Sequence, residues 1–419
     1  MVAKQSMMKN KKVYKIVDLF SGCGGISRGF EWTERFATEF AVEIEKHPAT
    51  ALKENLKNST GGPPIVYNGD IRELADSKEL LWKELNLAGI NSPTDVDVLV
   101  GGPPCQGFSR NGVRKYVDQE VNVRFYDDPR NHLYKAYLEF IAELQPSLVL
   151  IENVREFLNY DGGKFSKDLI ERLNEIGYEV KYQKVCAADY GVPQMRNRVL
   201  FIATHKRIIK KIGKQASFPI PKFTKLSSQS SIFSMYRTVR DAFGDLPKPV
   251  DKQAESPQVY GNQVPEGVLA HFLRSKTGMV HNHVSRKLSK ISLARVNAVG
   301  TGRMKHVDSE LQTRKFYGSA YGRMNWDEPS LTITTWVYHV GSGRYAHPVQ
   351  DRAITMREAA RIQTFDDDFI FPPLINPVSQ MIGNAVPPLL AYEFAKEFLT
   401  VLDEYNELVL EQVEEQFAN

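Results

Sequence analysis

The sequence predicts an α/β fold: a mostly parallel sheet with helices, joined to a second, smaller and loop-rich domain. Up to about residue 204, short apolar segments alternate with segments of helical spacing, the pattern of a parallel sheet covered by helices on both faces. From 205 to 350 this alternation is lost, and Pro, Gly, Ser and Lys become frequent. We therefore expect one domain from 1–204 plus 377–419, a second domain at 205–350, and a connecting segment at 351–376.

The individual elements follow from the apolar spacing and the turn residues. The segment TMREAARIQTF (355–365) is a predicted helix with strong capping features, and GNAVPP leads into a long amphipathic helix. In the region 205–350, SLTITTWVYHV (330–340) is strand-like. The predicted strands of the first domain are 13–20, 40–45, 96–102, 147–154, 180–185 and 198–204, and its predicted helices are 26–36, 47–56, 131–144 and 165–178.

Composition narrows the class of protein and its compartment. No apolar run approaches the length of a membrane span, and the polar, basic N-terminus lacks the apolar core of a secretory signal. The three cysteines, Cys23, Cys105 and Cys186, are widely spaced, which argues for a reducing compartment and against a disulfide framework or a zinc finger. We expect a cytoplasmic protein without membrane contact and without a metal.

The net charge of +4 hides an asymmetry along the chain. Residues 205–350 contain 23 Lys and Arg against 9 Asp and Glu, whereas the rest of the chain has an acidic excess. A basic block of domain size within an acidic frame is typical of a polyanion-binding module. The loop-rich domain is therefore predicted to bind nucleic acid.

The first strand ends in a glycine-rich turn, DLFSGCGG (18–25), which opens a helix in the manner of a nucleotide cradle. Glu43 ends the second strand, where a carboxylate can accept hydrogen bonds from ribose hydroxyls. Asp70, in Gly69-Asp70-Ile71, offers a carboxylate for an adenine amino group. Together, in this order, these residues favour an adenosine-bearing cofactor.

A second group of residues follows later strands. GGPPCQGFS (101–109) places Cys105 on a stiff turn after a buried strand, where a thiolate would be a nucleophile. Glu152 ends the next strand, and we expect desolvation to keep it protonated so that it acts as an acid. Arg196 and Arg198 are two apart, so on one strand both would face the same side, orienting the glutamate and binding a carbonyl oxygen.

In chain order, DLFSGCGG, Glu43, GDI, PPCQGFS, ENV, QMRNR, REAARIQ and GNAVPP resemble the motifs of the DNA (cytosine-5) methyltransferases, from about residue 13 to 400. The resemblance implies a Rossmann-like S-adenosylmethionine-dependent catalytic domain, with 205–350 as the target-recognition domain. It implies double-stranded DNA as partner, S-adenosyl-L-homocysteine as product, and a nucleoid-associated monomer of the bacterial restriction-modification type. A cognate restriction endonuclease is a candidate companion.

The resemblance also implies roles for single residues. Cys105 would attack C6 of a flipped-out cytosine, Glu152 would hydrogen-bond or protonate N3, and Arg198 would contact O2. Arg196 would support the acid, and Pro104 would line the base pocket. The polar, basic segment 107–128 would close over the DNA. The implied DNA contacts are Gln106, Ser109 and Gln194, and the implied cofactor residues are Asp18, Phe20, Ser21, Cys23, Gly25, Glu43, Ile44, Asp70, Ile71, Leu133 and Asn384.

Three alternatives differ from this interpretation at identifiable residues. Enzymes that methylate exocyclic amino groups carry an aromatic residue after Pro-Pro, where this chain has Cys105. The branch of the family that methylates transfer RNA carries Cys-Phe-Thr, whereas this chain has Lys222-Phe223-Thr224. A catalytically silent DNA-binding protein would have lost Cys105, Glu152 or the arginines. His281 and His283 are interpreted as surface or phosphate-contacting residues rather than metal ligands.

Overall fold

In the computed structural model, the described residues are 11–104, 133–225, 234–251, 256–261, 267–313 and 318–418. The chain divides into two compact units. The first comprises Met1–Val185, Asn197–Ile220 and Ala391–Asn419, and the second comprises Cys186–Arg196 and Pro221–Leu390. The second unit thus includes a short segment of the predicted sheet region and the predicted connecting segment. Which unit binds DNA stays a prediction.

A seven-stranded sheet lies in the first unit, and it confirms the predicted Rossmann-like α/β class. The first five strands in chain order pair in parallel. The strand β8 (Asn197–His205) runs antiparallel to its neighbour β5 (Leu148–Asn153). The spatial order is β3-β2-β1-β4-β5-β8-β6. The strands are β1 (Tyr14–Leu19), β2 (Phe36–Val42), β3 (Ile65–Tyr67), β4 (Val98–Gly101), β5 (Leu148–Asn153), β6 (Tyr178–Cys186) and β8 (Asn197–His205); β7 (Gln194–Met195) pairs in the second unit.

One row of paired residues crosses the middle of this sheet near its carboxyl edge. Leu19 pairs with Val42 on one side and with Gly101 on the other, and Gly101 pairs in turn with Ile151. Four parallel strands therefore end almost level. The residues that follow each of them are brought to a single edge of the sheet.

Helices cover the sheet because their apolar residues repeat on one face. In the helix α5 (Leu133–Leu144), four apolar residues follow helical spacing and are fully buried: Tyr137, Phe140, Ile141 and Leu144. They join the core cluster that contains the inward residues of the central strands. The first two chain segments of the first unit contain the helices α1 (Gly25–Glu31), α2 (Lys46–Asn55), α3 (Ile71–Asp76), α4 (Lys78–Leu87), α5 (Leu133–Leu144), α6 (Lys164–Glu175) and α7 (Lys206–Ile212).

Short elements build the second unit, which has little regular sheet among its described residues. Its strands are two residues long: β7, β9 (Phe223–Thr224), β10 (Ser234–Met235), β11 (Gln258–Val259), β12 (Met279–Val280) and β13 (Ser330–Leu331). Its helices are α8 (Val239–Phe243), α9 (Val268–Leu273), α10 (Lys290–Val299), α11 (Met356–Ile362) and α12 (Ile375–Asn384). The long helix α13 (Pro388–Ala418) then closes the chain.

Several predicted boundaries are confirmed and others are wrong. The capping features before α11 form a complete capping box between Thr355 and Glu358. The predicted strand 330–340 is wrong beyond Leu331, because the following residues form turns with local hydrogen bonds. The predicted strand 40–45 is in fact Phe36–Val42, and the short elements β3, α3 and α4 were not predicted. No helix in the described residues is long and apolar enough to cross a membrane.

Candidate active site

The carboxyl edge of the sheet gathers the predicted site residues of the first unit. Phe20, Glu43, Gly102 and Glu152 each follow the row of paired residues by one position. The chain leaves β1 for β2 on one side and returns to β4 on the other, so the strand order reverses between β1 and β4. Ligands of doubly wound sheets bind at such a reversal. The candidate site therefore lies at this edge.

The turn after β1 has the backbone of a tight cradle. Phe20 has φ +55°, Gly22 has φ +56° and Gly24 has φ +86°, all in the left-handed region. At Gly24 a Cβ would also lie 2.6 Å from Leu56 Cδ1, so glycine is required there on both grounds. The turn ends directly in α1, whose first residue is Gly25.

Two further residues of this turn, Ser21 and Cys23, face inward. Ser21 is 9% exposed, and its main-chain N–H donates to Val42 O at 3.1 Å. Cys23 is 2% exposed, and burial raises the pKa of its thiol. The main chain of the turn, rather than the Cys23 side chain, is therefore what it presents to a ligand.

Asp18 is buried beneath the same turn, with 1% of its surface exposed. Ser27 Oγ donates to Asp18 Oδ2 at 2.5 Å, whereas Oδ1 has no hydrogen-bond partner in the part of the chain that the structure describes. Burial, with a smaller contribution from the nearby Glu43 carboxylate, raises the pKa of Asp18 to about 7 against the lowering effect of the Ser27 hydrogen bond. A buried carboxylate with a spare oxygen would be stabilised by a positively charged ligand group.

Glu43 is held at the end of β2 by main-chain donors. Its Oε2 accepts from Gly22 N and its Oε1 from Glu45 N, each at 2.8 Å. Burial raises its pKa. Each carboxylate oxygen has a second lone pair, so the group retains capacity for two ligand hydroxyls. Ile44, the next residue, is 62% exposed and offers an apolar surface beside that carboxylate.

Asp70 and its neighbours lie after β3. Asp70 caps α3 by accepting from Arg72 N at 2.9 Å, and the Arg72 side chain also donates to it, with Nε 3.0 Å from Oδ1. These hydrogen bonds from Arg72 lower the pKa of Asp70 against a smaller opposing effect of burial. Ile71 is 3% exposed and packs in the core, so only its main chain can reach a ligand. Leu133, the first residue of α5, is half-buried against the same core.

Arg72 was not predicted as a site residue. The signal was present in the sequence, because an acid that caps a helix is followed two positions later by a basic residue.

The turn after β4 is fixed from two sides. At Gly101 a Cβ would lie 2.2 Å from Leu19 O, so only glycine allows β4 to approach β1 this closely. Asn153, from the end of β5, donates through Nδ2 to Pro103 O at 3.2 Å. Pro104 is the last described residue of this turn. The predicted residues Cys105, Gln106 and Ser109, and the predicted closing segment 107–128, lie outside the described residues.

Glu152 forms an ion pair with Arg198 at this edge. Arg198 Nε lies 2.6 Å from Glu152 Oε1, and the two side chains are only 14% and 13% exposed. Arg198 reaches this position because β8 runs antiparallel and begins where β5 ends. The contact agrees with the expectation that an arginine orients this glutamate, and the role of Glu152 as an acid stays a prediction.

The expectation that Arg196 and Arg198 lie on one strand and face the same side is wrong. Arg196 falls between β7 and β8 and belongs to the second unit. It is 1% exposed, and its guanidinium donates to Ile333 O at 3.1 Å and to Gly383 O at 2.9 Å. The guanidinium that holds Glu152 is that of Arg198, and Arg196 instead joins two segments of the second unit.

Gln194 requires a correction as well. Its side chain is 0% exposed, its Oε1 accepts from Ile333 N at 2.8 Å, and its Nε2 donates to Gln363 Oε1. A fully buried amide with both ends hydrogen-bonded cannot contact DNA, so that predicted role is wrong. Gln363, from REAARIQ, also donates to Ile382 O at 2.7 Å and Ala385 O at 2.9 Å. These bonds fix the end of α12, where Asn384 is exposed.

His283 is not a surface residue as predicted. It is 1% exposed, and its ring nitrogens lie 2.8 Å from Thr355 Oγ1 and 2.7 Å from Pro247 O. Desolvation lowers its pKa. His283 therefore stabilises the second unit in its neutral form.

A mostly parallel seven-stranded sheet whose strand β8 is antiparallel, with a glycine-rich first turn and acids at the ends of β1 and β2, is found in the Rossmann-like, S-adenosylmethionine-dependent methyltransferases. Within that class, the family model for C-5 cytosine-specific DNA methylases matches residues 14–400. The chain therefore belongs to this family and is a DNA (cytosine-5) methyltransferase.

Known relatives agree with this assignment. Type II methyltransferase M1.HphI of Haemophilus parahaemolyticus is 32% identical over 91% of this chain and 86% of its own. Type II methyltransferase M.DdeI of Desulfomicrobium norvegicum is 31% identical over 93% of this chain and 90% of its own. An E. coli prophage protein, whose crystal structure is described as a DNA modification methyltransferase, is 25% identical with TM-score 0.70, over 93% of this chain and 99% of that chain.

Proposed function

We propose that this enzyme flips a cytosine out of duplex DNA, within one short specific sequence, and methylates its C5 using Cys105 as nucleophile. The observation that carries the proposal is the Glu152–Arg198 pair, at 2.6 Å, on the same sheet edge as the turn that leads into Cys105. Neighbouring strands β4 and β5 end in register, so a thiol directly after Pro104 and the Glu152 carboxyl group start from adjacent strand ends.

The residues of the β1 and β2 ends fit S-adenosylmethionine, which supplies an electrophilic methyl group when bound. Glu43 retains lone pairs for the ribose hydroxyls, and the exposed Ile44 offers an apolar contact for the adenine face. Asp18 has an oxygen without a partner among the described residues and suits a cationic group. Asp70 and the main chain of Ile71 serve the adenine edge, with Phe20, Leu133 and Asn384 as further proposed contacts.

Cys105 forms a bond from Sγ to C6 of the cytosine, and the electron pair of the C5–C6 double bond moves to C5. Glu152 stabilises the changed ring by hydrogen bonding or proton donation at N3. C5 would then take the methyl group as the methyl–sulfonium bond breaks and leaves S-adenosyl-L-homocysteine. A base removes the C5 proton, the electron pair of the C5–H bond re-forms the C5–C6 double bond, and the Sγ–C6 bond breaks to release the thiolate. Arg198 orients Glu152 through Nε and keeps further N–H donors for the cytosine O2.

The basic region 205–350 is proposed to hold and read the DNA, because its positive excess favours phosphate binding. Base flipping follows from the chemistry, since C6 is not accessible to a thiolate inside a stacked duplex. We further propose that the enzyme acts as a monomer. We also propose a restriction endonuclease as its companion, which is supported by relatives named as type II methyltransferases.

Bisulfite sequencing of plasmid DNA from expressing cells tests the proposal, with Cys105→Ser as the control. We expect protected cytosines within one short repeated sequence in the wild type and none in the variant. Equal protection in both would remove Cys105 from the mechanism. If plasmid DNA shows no protection but transfer RNA from the same cells does, RNA is the substrate and the DNA assignment fails.

A further inference from the structure

A turn in the second unit carries an exposed tryptophan, Trp336, beside a half-buried tyrosine, Tyr338. Trp336 is 54% exposed, and its ring centroid lies 5.7 Å from that of Tyr338, with 34° between the ring planes. Tryptophan is usually mostly buried, because its large apolar surface is costly to hydrate. A tryptophan exposed to this extent beside a tyrosine is a candidate contact for a binding partner, because both residue types are enriched at interfaces.

The turn holds this pair outward by its own packing. Val337 is 0% exposed and Val340 is 3% exposed, so the residues between and beside the aromatic side chains point into the core. Ser342 Oγ donates to both Trp336 O and His339 O at 2.6 Å, which closes the turn. The exposure of Trp336 is therefore a consequence of the folded backbone.

The base of the turn is joined to the motifs of the same unit. Ser379 Oγ, from α12, donates to Thr335 O at 2.8 Å, and Arg196 donates to Ile333 O at 3.1 Å. Arg196 is two residues before Arg198 in the chain. The aromatic pair is thus carried on a segment that Arg196 and Ser379 hold in place through hydrogen bonds to its main chain, rather than on a free loop.

A positive charge borders the pair. The Arg286 guanidinium carbon lies 5.5 Å from the Tyr338 ring centroid, and Lys287 and Lys290 follow in the sequence. Flat aromatic surfaces beside cations suit a polyanion that carries flat bases, because a base that is unstacked, as beside a flipped cytosine, can stack on a ring while the cations contact phosphates. The surrounding excess of Lys and Arg favours the same partner.

We propose that Trp336, Tyr338 and Arg286 form an aromatic platform that binds duplex DNA where base flipping interrupts the stack, with Trp336 contacting an unstacked base and Arg286 a phosphate. This rests on the proposed function of the enzyme as a DNA methyltransferase, and it identifies residues within 205–350 that hold the substrate.

Fluorescence anisotropy with a labelled duplex carrying the bisulfite-mapped site tests the platform. We expect Trp336→Ala to raise the Kd for this duplex roughly 5- to 100-fold, because a stacking contact is lost. Trp336→Tyr keeps a ring and should restore most of the affinity. The matched control is Phe272→Ala, which removes another exposed aromatic residue of the second unit (44% exposed) and should leave the Kd unchanged.

A second readout separates this proposal from the proposed function. Titration calorimetry with S-adenosyl-L-homocysteine should give the same Kd for wild type and Trp336→Ala, and the thermal midpoint should also be the same, because the side chain is exposed. An unchanged DNA Kd in Trp336→Ala, with wild type binding normally, overturns the platform alone. Loss of self-association in sedimentation velocity, with unchanged DNA binding, would overturn it in favour of a protein interface. A wild type that does not bind duplex DNA overturns both proposals.

Discussion

In the first unit, Asp18 is buried and Glu43 is half-buried. Among the described residues, their hydrogen bonds come from a hydroxyl and from main-chain N–H groups, and burial raises the pKa of both. In the second unit, burial also tends to raise the pKa of Glu358 and Asp367, but neighbouring arginines outweigh this effect and lower both pKa values. Arg352 donates two hydrogen bonds to Glu358, at 2.7 and 2.6 Å, and the pKa of Glu358 falls to about 2.

The contrast separates two uses of the same kind of side chain. Asp367 accepts from Arg361 Nε at 2.8 Å and from Tyr260, so its oxygens are occupied within the fold and its pKa is lowered. Such a carboxylate stabilises the second unit and has little capacity for a ligand. A buried acid that no arginine holds, such as Asp18, gains most from a cationic ligand. The hydrogen-bond partners of an acidic residue thus indicate whether it serves a ligand site or stabilises the fold.

Glu152 is the residue at which removal of charge should have the largest effect on catalysis. We expect Glu152→Gln to lower kcat roughly 10²- to 10⁴-fold, because the amide cannot provide a proton at N3. The Kd for S-adenosyl-L-homocysteine should not change. Single-turnover methylation of a labelled duplex measures this effect, with the exposed Glu171→Gln as control. Near-normal turnover in Glu152→Gln would contradict the assigned role.

Asp367 tests the scaffold side of the comparison. We expect Asp367→Asn to lower the free energy of unfolding by about 3–5 kcal/mol, because Arg361 loses its buried counter-charge. Urea denaturation at pH 7 measures the change. The matched control is Asp327→Asn, which breaks the exposed pair with Arg240 and should cost less than about 1 kcal/mol. Equal effects of the two substitutions would contradict the distinction.

Acid should act on the second unit through Glu358. Its pKa falls from 4.5 to about 2 on folding, so its contribution to stability is present above pH 4.5 and is lost as pH falls towards 2. We expect wild type and Glu358→Gln to differ strongly in unfolding free energy at pH 7 and little at pH 2.5. Denaturation curves at the two pH values check this, and a difference that persists at pH 2.5 would refute it.

The contribution of Asp18 to stability should depend on pH in the opposite direction. Its folded pKa of about 7 lies above the usual 3.8, so the stability that its protonated form contributes is lost as pH rises towards 7. We expect Asp18→Asn to raise the thermal midpoint of the ligand-free protein at pH 8, with a smaller gain at pH 5, and to weaken S-adenosyl-L-homocysteine binding about 10-fold. Loss of stability at pH 8 would contradict this account of Asp18.

Arg72 should have the smallest effect, because its side chain is 54% exposed. We expect Arg72→Ala to weaken S-adenosyl-L-homocysteine binding by roughly 2- to 5-fold in calorimetry, because Asp70 loses the group that orients it. Arg72→Lys should recover part of the loss. Tighter binding in Arg72→Ala would instead mean that Arg72 competes with the ligand for the Asp70 carboxylate.

Much of the first unit was predictable because its signals are local. Apolar runs, Gly and Pro at strand ends and helical spacing identify strands such as Val98–Gly101 and helices such as Leu133–Leu144. The placement of Glu43 and Glu152 at one edge also follows, since parallel strands end on the same side of a sheet. The two-residue strands of the second unit were not predictable, because they carry too few residues for a periodic signal.

The sequence by itself determined the fold class, the family and the order of the acidic, glycine-rich and arginine motifs, because these depend on residue types and spacing along the chain. Only the tertiary structure decided which polar motif residues are available for chemistry. Gln194 and Arg196 are buried within the second unit, whereas Arg198 pairs with Glu152. Burial and hydrogen-bond partners come from segments distant in sequence, such as Ile333 and Gln363, and no local pattern specifies them.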